Sequence, residues 1–261
     1  MKKVIIVGAS SGIGKAVAGM LDANEYRIYN ISRTPCDVVG VCNMLADVEK
    51  VGATKKVIEK IIKAEGSIDL AIYCAGQGMI APVELCGVDE YKQIFDVNFF
   101  GAIRFLKSII PAMRQNGGKV VVVSSLAGTL ALPYQSAYCA SKAALSSFSQ
   151  VVAGELGLQG ISLTCVCPGG TATGFSRKRK TVDVAGTVYE ENYKNAHKNI
   201  TEFEQEGMSA EDVAKAVLLL VNRKNPPSVY TIGTANKLVS AVSGILPKGV
   251  VGKMVDLAFE V

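Results

Sequence analysis

The chain has one histidine and, among its seven cysteines, no Cys-x-x-Cys pair. With His197 as the single imidazole, a zinc site of the usual ligand spacing cannot be assembled. The cysteines are odd in number and scattered, so they read as reduced small hydrophobes of a cytoplasmic protein, not as a disulfide framework. Cys165 and Cys167, two apart in an apolar run, are expected on opposite faces of a strand. No stretch is long and apolar enough to span a membrane. The start, Met1-Lys2-Lys3 before Val4-Ile5-Ile6-Val7, imitates a secretion signal only briefly, because the apolar run is short and passes into a glycine loop and Lys15. Strong charge of one sign is also missing. The formal net charge is +5 with acids and bases mixed along the chain, short of a nucleic-acid-binding signature, and no aromatic-plus-basic ladder suggests single-strand binding.

What is present is apolar content: 49% of 261 residues, enough for a sizeable core. Short apolar runs alternate with longer amphipathic ones. Strands are expected at Val4–Val7, Arg27–Ile31, Val38–Cys42, Asp69–Tyr73, Lys119–Val123 and Ser162–Cys167. Helices are expected at Ile13–Leu21, Val48–Ile62, Asp89–Met113 and Ala137–Leu158. Continuously apolar strands separated by helices indicate a parallel sheet covered on both faces. The fold class is therefore α/β, a doubly wound parallel sheet in a single domain. Two segments leave the alternation. Residues 174–207 are polar and include the basic run Arg177-Lys178-Arg179-Lys180, which reads as a lid or as a solvated surface segment, the charges more readily as the latter. The tail 236–261 carries apolar residues at helical spacing, suited to packing on the same domain or on a partner subunit.

The first strand runs into Gly8-Ala9-Ser10-Ser11-Gly12-Ile13-Gly14-Lys15. A phosphate loop of the Gly-Lys-Ser/Thr kind is excluded, since Lys15 is followed by Ala16. Gly8 to Gly12 fits a Gly-x-Ser-x-Gly nucleophile elbow, with His197 as base, but no earlier strand-helix loop exists to supply an oxyanion donor. A dinucleotide turn explains all three glycines: Gly8 for the bend, Gly12 for approach of the pyrophosphate, Gly14 for helix packing. The end of the next strand reads Ile31-Ser32-Arg33-Thr34, with no carboxylate for a ribose 2′-hydroxyl. Arg33, helped by Ser32, suits a 2′-phosphate, which favours NADP(H) over NAD(H).

Tyr138 and Lys142 are four apart at the start of a helix and so share a face. An ammonium beside a phenol favours the phenolate and equips the tyrosine to exchange a proton with an alcohol or carbonyl oxygen. Ser125, or its neighbour Ser124, ends the four-valine strand on the side where the glycine loop opens and is placed to bond a substrate oxygen.

In these pieces the chain resembles the short-chain dehydrogenase/reductase superfamily, from Lys3 to about Ile232. The resemblance rests on the glycine loop, Cys74-Ala75-Gly76, Asn98 in Val97-Asn98-Phe99-Phe100-Gly101, Ser125, Tyr138-x-x-x-Lys142, and Pro168-Gly169 with Thr173. It implies a Rossmann fold and a tetrad: Asn98 holding a water in a proton relay, Ser125 orienting the carbonyl, Tyr138 as acid/base, and Lys142 binding the nicotinamide ribose. It further implies Ser10, Ser11, Gly12 and Ile13 at the phosphates, Asp47 and Val48 beside the adenine, Ala75 and Gly76 along the cofactor, and Pro168, Gly169, Thr171 and Thr173 on the nicotinamide side. The segment after Thr173 becomes the substrate lid, and assembly is expected as a homodimer or homotetramer. Three features depart from the family pattern: Val7 replaces the usual threonine, Cys74 replaces an asparagine, and the apolar tail stands in place of the Gly-Gly close of ketoacyl reductase-like members, which argues against a fatty-acid-synthesis role. The expected activity is NADP(H)-dependent interconversion of a carbonyl and a secondary alcohol. The small-molecule substrate is expected to be apolar, a ketone or hydroxysteroid-like, near Gln77, Met79, residues 130–135 and Phe175. The alternative is a catalytically silent nicotinamide-binding regulator or scaffold.

Overall fold

The computed structural model describes residues 1–261. Strand β1 (Lys2–Val7) leads to helix α1 (Gly12–Met20), β2 (Tyr26–Ser32), β3 (Val41–Leu45), α2 (Ala53–Glu65) and β4 (Leu70–Tyr73). Helices α3 (Val88–Phe95) and α4 (Gly101–Met113) follow, then β5 (Gly118–Val123), α5 (Ser136–Gly157) and β6 (Ile161–Cys167). The chain continues through β7 (Thr171–Ala172), α6 (Glu190–Gln205), β8 (Met208–Ser209), α7 (Ala210–Val221), β9 (Val229–Thr231), α8 (Thr234–Ile245) and α9 (Lys248–Ala258). Seven strands form one sheet in the order β3-β2-β1-β4-β5-β6-β9, and every pairing in it is parallel. The short β7 and β8 pair separately.

Alternation along each central strand sends successive side chains to opposite faces. Ile5, Val7, Val120 and Val122 meet Ile58 of α2, Phe105 and Ile109 of α4, and Leu145 of α5. Val4, Ile6, Val121 and Val123 meet Val17 of α1 and Val213 and Val217 of α7 on the other side. Each such aliphatic side chain, removed from water, contributes about 1.5–3 kcal/mol. Cys165 and Cys167 join one face together, both beside Ser146. A period of two puts residues two apart on the same face, which corrects the expectation of opposite faces. All seven cysteines are free.

The other differences have local causes. Strand β3 begins three residues later than expected because a turn at Val38–Val41 with Gly40 at φ 85° intervenes. Helix α2 begins after a turn in which the Asp47 carboxylate accepts from the Glu49 amide, with Gly52 at φ 81° before the first helical residue. The long helix expected over 89–113 is interrupted by a π turn at Asp96–Phe100, a device that frequently marks functional positions. Helix α7, for which sequence periodicity set no expectation, is capped by Ser209, whose hydroxyl accepts from the Asp212 amide.

Gly8 lies at φ 92°, and a Cβ placed on Gly14 would come 2.3 Å from the Gly8 carbonyl oxygen. The glycine loop therefore folds directly onto the first turn of α1. Gly14→Ala is expected to destabilise the protein by about 1–3 kcal/mol through this overpacking, seen as a lower Tm in a thermal melt; an unchanged Tm would show that the contact is not limiting.

Candidate active site

The carboxyl ends of β1, β2, β4, β5 and β6 share one edge of the sheet, and the loops that leave them line a continuous cleft of about 880 Å³. At one wall lies the start of α1. Its cap residue Ser11 makes no side-chain bond to the helix and its first turn holds no acid, so the first amides are available to an anion. Gly12, at φ 55°, faces Thr173, whose carbons a Cβ on Gly12 would meet at 3.6 Å. This cradle fits a pyrophosphate. The loop is held from below by an asparagine pair, Asn30 buried and Asn43 exposed. The Ala9 amide donates to Asn30 Oδ1 at 3.0 Å, Asn30 Nδ2 donates to Asn43 Oδ1 at 2.8 Å, and Asn43 exchanges two bonds with the Cys36 backbone. Neither asparagine was foreseen as part of the site. The available signal was a polar residue inside the apolar run of β2.

On the adenosine side, Ser32, Arg33, Asp47 and Val48 all line the cleft. The Ser32 hydroxyl is turned inward, donating to the Thr34 carbonyl and accepting from Asn30 Nδ2. Arg33 is the donor left at the rim. Its guanidinium is 70% exposed and 3.7 Å from Glu49 Oε1, a carboxylate that sequence reading passed over.

In the middle of the cleft stand Ser125, Tyr138 and Lys142. The alternative between the two serines is decided by direction. The Ser124 hydroxyl donates to the Lys142 carbonyl at 3.0 Å and pairs with Ser146, whereas Ser125 caps the Ala127 amide and interacts with Tyr138. The Tyr138 ring packs against Phe175, centroids 5.7 Å apart. The Lys142 ammonium lies 5.8 Å from the Tyr138 ring centroid and donates to the Val123 carbonyl at 2.9 Å. Asn98 sits behind this group, fully buried in the π turn. Its Oδ1 accepts from the Gln77 amide, and its Nδ2 donates to the Gln77 carbonyl and to Ser141. Both amide hydrogens are thus used in tying β4's exit loop to the tyrosine helix.

Burial dominates the electrostatics. It pushes the Tyr138 phenol upward, against opposing pulls from the Ser125 hydroxyl and Arg179, with Glu204 adding to the rise. Burial also pushes Lys142 down, to about 8, because no carboxylate stands beside it. The lysine effect expected on the tyrosine is therefore outweighed in the protein alone by desolvation, and the phenol is neutral at pH 7.

Beyond the tyrosine the cleft passes under residues 174–207. The basic run there is only partly solvated. Arg179 is buried and paired with Glu204, which also binds Ser176, while the Lys180 backbone bridges Gly78 and Ile80. Of the foreseen pocket residues, Gln77, Leu130, Leu132, Gln135 and Phe175 line the cleft. Met79 does not; it is buried with Ala81 and Ile94. Gly14 and Asn98 act from behind the walls. Pro168, Gly169, Thr171 and Thr173 line it, as do Ser10, Ile13, Ala75 and Gly76. His197 stacks on Tyr193 and is absent from the walls, so the nucleophile-elbow reading has no base at Ser10.

A family profile described as short chain dehydrogenase matches residues 2–183. The chain belongs to the short-chain dehydrogenase family. It is 33% identical over 244 residues to the 3-ketodihydrosphingosine reductase of Bacteroides thetaiotaomicron, covering 92% of this chain and 91% of that one. It is 29% identical to retinol dehydrogenase 8 of Bos taurus over 95% of this chain and 86% of that one. A short-chain dehydrogenase of Streptomyces avermitilis superposes with a TM-score of 0.82 at 23% identity, covering 98% and 96% of the two chains. The chain is thus a member of an oxidoreductase family with the single-domain Rossmann fold that binds nicotinamide cofactors. No helix is long and apolar enough to cross a membrane.

Lys142 provides a test of the electrostatics. The unfolded chain titrates this amine near about 10.4, the folded one at about 8. Between those pH values the unfolded state binds the additional proton, so the contribution of this group to stability rises with pH across the window. The Tm of the wild type relative to Lys142→Met is expected to increase from pH 8 to pH 10. A pH-independent difference would contradict the buried, unpaired ammonium.

Proposed function

We propose that the protein is an NADP(H)-dependent carbonyl reductase that converts an apolar ketone to a secondary alcohol. The observation that carries this reading is the lining of one cleft by the glycine loop, Arg33, Ser125, Tyr138 and Lys142 together. When bound, the reduced nicotinamide supplies the hydride that the carbonyl carbon accepts. Ser125 orients the carbonyl oxygen and donates to it as charge develops. Tyr138 gives its proton to that oxygen, whose former π pair becomes part of the new O–H bond. A phenol held neutral by burial is a proton donor, which suits the reductive direction. Lys142 holds a positive charge beside the tyrosine and binds the ribose, and Asn98 fixes the loop and the helix that bring these groups together. The relay water assigned to Asn98 would lie on its backbone side, because its amide hydrogens are engaged.

The same reading places the protein in the cytoplasm as a homodimer or homotetramer. Exposed apolar side chains on the outer faces of the tyrosine helix and its neighbour, Val151 and Phe100, support association there. The regulator reading requires none of this chemistry and has no use for a serine, tyrosine and lysine facing one cleft.

Tyr138→Phe is expected to lower kcat for ketone reduction by about a hundredfold or more while NADPH, followed by its fluorescence, still binds. Retained turnover would remove Tyr138 from the reaction, and NADPH binding without turnover of any ketone by the wild type would favour the regulator. Arg33→Ala is expected to weaken NADPH at least about tenfold, the effect of losing a charge-assisted bond of about 1.5–3 kcal/mol, and to leave NADH unchanged. Equal effects on both cofactors would refute a role for Arg33 in choosing between them.

A further inference from the structure

The cleft does not end at the tyrosine. It continues between three helices, α6, α8 and α9, of which α6 and α9 pack together through Ala196, Ile200, Val255 and Phe259. On α8 the lining residues run from Leu238 to Leu246, and on α9 from Val251 to Phe259. At 1.5 Å per residue each wall is about 12 Å long. Burial differs among the residues of this arm. Ile200, Val255 and Phe259 are buried, whereas Leu238 and Met254 line the cleft and are still 66% and 56% exposed. The arm is therefore open to solvent at Leu238 and Met254, and its rim there is apolar.

We propose that this arm holds the hydrocarbon chain of a straight-chain ketone, with the carbonyl at Ser125 and Tyr138 and the chain leaving between α8 and α9. This rests on the reductase reading above and names its substrate class. Two observations separate a chain from a rigid polycyclic nucleus. An open arm selects on cross-section and tolerates length, which suits a polymethylene chain. The α8 and α9 walls also present no free partner to a remote polar group, and on α6 the Asn199 amide donates to the Phe259 carbonyl. Ser243 is the one hydroxyl on the α8 wall and it donates to the Ser240 carbonyl; Asn236, at the base of α8, donates to Ile232. A site that recognises a distant oxygen presents a free partner for it. Aliphatic walls facing a gap instead leave apolar surface in water, which an apolar chain removes.

The test is a homologous series of methyl ketones from butanone to dodecanone, each reduced with NADPH to the secondary alcohol. The specificity constant kcat/KM is expected to rise by up to about fourfold per methylene, the factor that corresponds to about 0.8 kcal/mol per buried CH₂. Val242→Asp and Met254→Asp, at partly exposed wall positions that tolerate a polar group, are expected to flatten this gradient. A flat series in the wild type, or a ketosteroid outperforming dodecanone, would overturn the inference. Calorimetric binding of the same ketones in the presence of NADP⁺ separates the two readings. Affinity that climbs with chain length without any turnover would defeat the reductase reading and keep the chain site; turnover with length-independent affinity would do the reverse.

Discussion

Parallel alignment of the seven strands is the constraint on which the site depends. In a parallel sheet every strand ends on the same edge, so the loops after β1, β2, β4, β5 and β6 open side by side however far apart they lie in sequence. Gly8, Arg33, Gly76, Ser125 and Pro168 occupy those five exits. The right-handed crossovers that parallel pairing demands put helices on both faces, and the two apolar clusters this creates make the edge rigid. Catalytic geometry is in this sense a by-product of register. A slip of one residue in β5 would exchange Ser124 and Ser125 and turn the cleft-facing hydroxyl into the core.

Within that frame the active groups are held by bonds to backbone more than to one another. Lys142 reaches the Val123 carbonyl, Asn98 brackets Gln77, and Ser124 ties β5 to α5. An ammonium buried without a carboxylate is unfavourable by itself, which is why its proton is lost so readily. The arrangement leaves its charge uncancelled and available to whatever the cleft binds. A carboxylate beside Lys142 would remove the strain and the field together.

Much of this was legible in the sequence. The valine-rich strands, the glycine loop and the four-residue spacing of Tyr138 and Lys142 are local patterns, and local patterns survive in one dimension. What was hidden depends on what covers what. The spacing of α8 and α9 identified an apolar stripe, but periodicity does not say whether a stripe meets the core, a partner or a cavity. Arg179 looked solvated because it lies in a run of four basic residues, and only the approach of Glu204 from α6 shows it buried. The π turn at Asn98 was hidden because a single inserted residue leaves the helical pattern on either side intact. Asn30 and Asn43 were missed because each is unremarkable alone; only pairing β2 with β3 brings them opposite one another.

The division of labour between the two ends of the chain follows from the same geometry. The proposed cofactor and proton chemistry relies on residues anchored in buried strands and the first turn of α5, where a displacement of one side chain disturbs a packed core. The arm proposed for the substrate is built from α6, α8 and α9, outside the seven-stranded sheet. Substitutions there change the wall without disturbing the strands that carry the reaction. On the proposed reading, an apolar tail outside the sheet is a change of substrate wall on an unchanged chemical frame. The proposed apolar ligand also accounts for the exposed side chains on α8 and α9: helices that admit such a ligand cannot bury all of their own apolar surface against each other.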